Sequence, residues 1–101
     1  MTRIEVEGLP GDPLAAAGMF QHVWVGAIER ALGNGADVTV VLQPADHTHG
    51  EWRCAMAAML ARKHTPQRVN LIAGEGARLD AIAQYLAGAP GVTGQYLEAS
   101  A

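Results

Sequence analysis

The sequence predicts an α/β fold in a single domain spanning residues 1–101: a four-stranded, mostly parallel sheet wound in the order β-α-β-α-β-α-β. Three observations predict it. Four extended segments alternate with three helical ones, with no linker, low-complexity tract or internal repeat between them. Two of the extended segments are nearly unbroken β-branched runs, the signature of a parallel strand covered on both faces. A length of 101 residues with 50% hydrophobic and 17% charged side chains suits one globular domain rather than a disordered chain. So short a chain leaves a large share of its surface in water, and domains of this size often lean on partners.

The elements follow in order. Arg3 to Gly8 alternates Ile4 and Val6 with Glu5 and Glu7, which predicts a strand wet on one face and placed at a sheet edge. Asp12-Pro13 opens the first helix: a cap residue, then a proline whose missing N–H is no loss at the first helical position. Phe20, Val23, Trp24, Ala27, Ile28, Ala31 and Leu32 form its apolar stripe, and Gly33-Asn34-Gly35 ends it. Ala36 to Pro44 is the second strand. In HTHGEW, Thr48 and Glu51 have the spacing of a capping box at the start of the second helix.

That helix shows a main stripe of Trp52, Ala55, Met56, Met59 and Leu60 and a second apolar line of Cys54, Ala57, Ala58 and Ala61. Together they cover more of the helix than packing on one sheet requires, so part of this surface is expected to meet another helix. Alanine on a wet face merely as a good helix former is the alternative. Arg68 to Ala73 is the third strand, Arg78 to Ala87 the third helix with Leu79, Ile82, Ala83 and Leu86 inward, and Gly94 to Ala99 a short last strand.

Composition excludes several function classes. A net charge of -3, with seven scattered Lys and Arg residues, gives no electrostatic footprint for nucleic acid. No apolar run approaches the roughly 20 residues that span a bilayer, and no anionic-lipid surface is expected. One cysteine, Cys54, makes no internal disulfide, and the opening MTRIEVEG lacks the design of a signal peptide, so a cytoplasmic protein is expected.

Two stretches invite a chemical reading. Gly74-Glu75-Gly76-Ala77 follows a strand and precedes a helix, as a phosphate-cradling loop does. It lacks a third glycine, and Glu75 sets a carboxylate where a phosphate would sit, so a tight strand-to-helix turn is the expectation. LQPADHTHGEW gathers Asp46, His47, His49 and Glu51 just past a strand, and His-x-His places two imidazoles on one side of an extended backbone. These four residues are the candidates for a metal site; the plainer expectation is a polar loop with Thr48 capping and both histidines solvated. The His-x-His also resembles the metal motif of amidohydrolases, but over a few residues only, and their barrel of about 250 residues cannot fit in this chain.

Elsewhere, His22 is read as a surface residue and His64 as a helix C-terminal histidine facing the macrodipole. Cys54 is read as a small apolar side chain. The single serine, Ser100, excludes a G-x-S-x-G nucleophile.

Leu60-Ala61, Pro66, Arg68-Val69-Asn70 and Val92-Thr93-Gly94-Gln95 with Leu97 resemble, in order and spacing, the C-terminal portion of short-chain dehydrogenases/reductases. The match covers about half of the chain; before it, only the order of elements agrees. The resemblance implies a small Rossmann-like domain, in two or three layers, derived from the rear part of that fold. It also implies pairing of the first two helices with those of a second copy in a four-helix bundle.

The departures bear on function. The family's Tyr-x-x-x-Lys falls at about Asp46 and Gly50, the expected Pro-Gly after the third strand reads Ala73-Gly74, and nothing before Pro10 offers a glycine-rich dinucleotide loop. The expectation is therefore a non-catalytic interaction module with no catalytic residue and no cofactor, homodimeric or bound to a full-length reductase. The alternatives are a small-molecule or nucleotide sensor using the C-terminal strand ends, and a metal-dependent enzyme. Right-handed crossovers are expected to put the helices mainly on one face, leaving the other for self-association through the sheet.

Overall fold

The computed structural model describes residues 1–99; Ser100 lies outside the described residues. Four strands, β1 (Thr2–Glu5), β2 (Val38–Leu42), β3 (Val69–Ala73) and β4 (Tyr96–Glu98), form one sheet in the order β1-β2-β3-β4, parallel throughout. The register sets Ile4 beside Val40, Val40 beside Leu71, and Leu71 beside Tyr96. β2 and β3 are buried along their whole length, as their unbroken apolar runs predict. β1 is an edge strand with Glu5 in solvent. It is shorter than Arg3 to Gly8, because the chain turns away at Gly8, whose φ of 77° is left-handed. The last strand likewise shrinks to three residues.

Alternation along the strands divides the core in two. On one face Val38, Val40, Leu42, Val69, Leu71 and Ala73 pack against Phe20, Ile28, Leu32, Ala57 and Leu60. These come from helices α1 (Pro13–Met19) and α2 (Val25–Gly33), joined by a π-helical segment Phe20–Trp24, and from α3 (Gly50–Lys63). On the other face Val41 and Ile72 pack against Leu79 and Leu86 of α4 (Gly76–Ala87).

The domain therefore has three layers, and this corrects the expectation of helices mainly on one face with an open second face. The α3 and α4 crossovers step the same way across the sheet over opposite faces. They are of opposite hand, and one of them departs from the right-handed rule.

Polar anchors hold that second crossover. Arg68 Nη1 donates to the carbonyls of Leu86 (3.0 Å) and Ala89 (2.8 Å), in the last turn of α4 and just past it. Its Nε and backbone N–H donate to the two oxygens of Asp37. Buried Asn70 donates from Nδ2 to the Val92 carbonyl and accepts from the Gln95 N–H, both at 3.0 Å. Thr93 Oγ1 accepts from the Val69 N–H, and Gly94 N–H donates to the Val69 carbonyl. Arg68-Val69-Asn70 and Val92-Thr93-Gly94-Gln95, two separate motifs in the sequence, are thus the two halves of one fastening between β3 and the α4–β4 connection.

Candidate functional site

At the C-terminal strand ends the loops open two depressions that share Pro44 and Ala45. The larger, about 550 Å³, lies between the ends of β2, β3 and β4 and is lined by Ala73, Gly74, Glu75, Arg78, Glu98 and Ala99 besides. The glycine turn sits here. Gly74 has φ of 145°, and a Cβ on it would stand 2.6 Å from that of Ala99, so this glycine lets β4 close on the turn. Glu75 precedes α4 as an exposed residue without a side-chain capping bond, and with Glu98 it sets two carboxylates against the one guanidinium of Arg78 on the wall. The net negative charge of that lining opposes a phosphate group.

The smaller depression, about 260 Å³, lies between the β1–α1 and β2–α3 connections; Gly8, Gly11, Asp46, His49 and Arg53 are among its lining residues. Arg53, on α3, is only 3% exposed. Its Nη1 donates to the Gln43 carbonyl and the Tyr96 hydroxyl, each at 3.0 Å, and its guanidinium carbon lies 5.4 Å from the Trp52 ring centre and 5.6 Å from that of Tyr96. Burial raises the Tyr96 pKa above its ordinary value, while the Arg53 hydrogen bond and charge pull the other way.

The candidate metal residues do not converge. Asp46 caps a 3-10 turn, His47–His49: its Oδ1 accepts from the Thr48 N–H at 2.9 Å and from the Thr48 hydroxyl. Those bonds, side chain first, hold its pKa below the usual carboxylate range. Thr48 and Glu51 form no capping box, because the 3-10 turn delays α3 to Gly50 and the cap falls to Asp46. His47 is exposed as expected, but His49 is buried rather than solvated. Trp52 Nε1 donates to His49 Nδ1 (3.1 Å), so Nε2 carries the proton and donates to the Gly11 carbonyl (3.0 Å). Both ring nitrogens are committed, in a bond that ties the β1–α1 loop to α3. Among the described residues no group of three or more His, Cys, Asp and Glu side chains is placed to hold a metal ion.

Helix α3 presents a further correction. Its inward line is Arg53, Ala57, Leu60 and Ala61; Trp52 and Met56 are half-buried at the seam with α1 and α2, and Ala55 and Met59 are exposed. The outward face runs Glu51, Cys54, Ala55, Ala58, Met59, Arg62. The seam forms two shallow apolar grooves, one lined in part by Leu14, Ala17, Trp52 and Ala55, the other by Gln21, Val25, Met56 and Met59. Leu14 is 84% exposed and Met59 48%. Val23, assigned to the inward stripe by periodicity, is exposed, and His22 lies on the surface. His64 sits at the end of α3, where Nε2 meets Glu29 Oε2 at 2.6 Å, with Lys63 on the same oxygen at 2.7 Å.

Arg53 and Tyr96 are the candidate-site residues that sequence reasoning missed. The available signal was an arginine in helical register with Ala57, Leu60 and Ala61, an apolar line into which a charge enters only with partners. A family model described as SDR-like, short chain dehydrogenase-like protein, matches residues 4–99. No curated protein and no solved structure matches the chain.

Proposed function

The chain belongs to the short chain dehydrogenase-like family, and from that premise we propose that it is a non-catalytic member that acts as a homodimeric interaction module, pairing through its α1–α2 and α3 layer. The observation that carries this reading is the outward face of α3. Its outward residues run Glu51, Cys54, Ala55, half-buried Ala58, Met59 and Arg62, with acid at one end, base at the other and uncharged side chains between. A two-fold axis near residue 57 sets a second α3 antiparallel to the first. Glu51 then meets Arg62 of the other copy and Ala55 meets Met59, so the surface complements itself as an isologous interface must. Small residues let the helices approach, and the grooves beside Leu14, Trp52 and Met56 extend the apolar area to a four-helix contact.

The non-catalytic part of the reading is supported by what stands where the family carries Tyr-x-x-x-Lys. Asp46 serves as a cap and Gly50 opens α3, and neither supplies a hydroxyl or an amine. Light scattering on the purified protein tests the proposal, with a dimer expected at micromolar concentration. Met59→Glu, which places a carboxylate at the contact centre, is expected to give a folded monomer. A monodisperse wild-type monomer overturns the reading.

A further inference from the structure

We propose that the cavity between the β1–α1 and β2–α3 connections is a binding site for a small monocarboxylate, with Arg53 as its anchor. A guanidinium removed from water is normally met by a carboxylate, because desolvated charge is unfavourable without a counterion. Arg53 is nearly fully buried, yet among the described residues no carboxylate pairs with it. The Trp52 and Tyr96 rings and two neutral oxygens compensate part of its charge. Both of those oxygens are bonded by Nη1, and Nε has no partner at all. Nε is closed off from solvent, whereas Nη2, also without a hydrogen bond, is not, so Nη2 is the donor left for a carboxylate oxygen in the cavity.

The cavity that Arg53 helps to line measures about 260 Å³, room for a ligand of few heavy atoms. Gly8, Gly11, Pro44 and Ala45 keep its walls clear of long side chains. Both ring nitrogens of His49 are already committed, to the Gly11 carbonyl and to Trp52. Asp46 adds selectivity. Its carboxylate is exposed, tied to Thr48, and lines the same cavity. Arg53 is the one arginine or lysine among the described lining residues, so it neutralises a single negative charge, and a second charge on the ligand meets Asp46 with no further cation to offset it; a monocarboxylate is therefore accepted over phosphate or a dicarboxylate. This inference stands apart from dimerisation, since it uses the strand ends and not the outer helix layer.

Titration of uniformly 15N-labelled protein tests it, with the Arg53 Nε–H resonance identified by its loss in Arg53→Lys. Sodium acetate and propionate are expected to shift that resonance saturably at constant ionic strength, and sodium chloride and inorganic phosphate to leave it unsaturated. A carboxylate response no different from that of chloride, or saturation by phosphate at lower concentration than by acetate, overturns the proposal. Ala45→Leu fills the cavity while leaving Arg53 in place, and is expected to abolish saturation without removing the resonance. Saturation that persists in that variant would put the carboxylate elsewhere and overturn the assignment.

Discussion

Asn70 shows how much of the fold rests on one polar side chain. It occupies a strand buried on both faces, and its amide satisfies one acceptor and one donor of the α4–β4 connection. Asn70→Leu leaves the Val92 carbonyl and the Gln95 N–H without partners, at about 1–3 kcal/mol for each group that stays buried. Urea denaturation of the variant is expected to show that loss. Glu29 is a second test at this scale. Hydrogen bonds from Lys63 and His64 lower its pKa below 4.5, the ordinary value. A lowered carboxylate pKa contributes stability that is present above the unfolded value and disappears as pH falls through the folded one. Stability is expected to decline as pH drops below about 4.5, and Glu29→Gln to flatten that part of the profile in denaturation series across pH. Arg68 and Asn70 were legible as motif residues, but not their partners, since hydrogen bonds spanning 18 to 25 positions leave no local pattern. Arg53 was passed over for a related reason: helical periodicity sorts residues by polarity, and a buried cation is an exception that only tertiary partners make affordable.

Helices and strands that follow from alternation or capping were legible, while irregularities within them were not. The Asp12-Pro13 start of α1 is as the sequence predicts, with Asp12 Oδ2 accepting from the Ala15 N–H. The π-helical turn at Phe20–Trp24 was not foreseen, and the burial pattern explains why it is there. Ala16, Phe20, Ile28 and Leu32 are buried at spacings of four and eight residues. A helix of 3.6 residues per turn rotates roughly 160° away from the sheet over that distance. One wider turn absorbs part of the drift and keeps Phe20 and Ile28 on the same core. Removing a residue from the turn leaves these two side chains seven positions apart, a spacing that regular α geometry, at about 100° per residue, keeps within roughly 20° of one face. Deletion of exposed His22 is therefore expected to restore a regular helix with both side chains still on the core, and to cost much less than the roughly 3–5 kcal/mol of losing a buried phenylalanine, measured by thermal or chemical unfolding. In α3 the reading by period failed differently. Apolar residues lie on nearly every side, so the sequence shows two stripes and does not say which faces the sheet. The structure buries Ala57 and Ala61 of the alanine line, whose small side chains let the helix approach β3, and leaves Cys54 and Met59 outside.

On the scale of the whole molecule, the position of α4 decides where association can occur. With α4 absent from the second sheet face, Val41 and Ile72 would lie bare and sheet-to-sheet pairing would be the natural cover. Because Leu79 and Leu86 already cover them, that need disappears. The opposite layer differs: its helices are packed inward on the sheet yet still expose Leu14, Val23 and Met59. The sequence could give the number of helices but not this distribution, because the hand of a crossover is set by long-range fastening such as Arg68 to the end of α4. If two copies meet through α3, the two-fold axis doubles every contact, so Glu51 and Arg62 form two equivalent intermolecular pairs. Exposed pairs contribute about 0.2–1 kcal/mol each, and two of them amount to roughly 2- to 30-fold in dimer affinity. Glu51→Arg alone, and Arg62→Glu alone, set like charges against each other at both sites and are expected to weaken the dimer by at least that factor. Glu51→Arg combined with Arg62→Glu re-forms the pairs with signs exchanged and is expected to recover most of the lost affinity in sedimentation equilibrium. Recovery distinguishes an antiparallel α3 contact from any other mode of pairing, since in a different geometry the two substitutions act independently and their effects add.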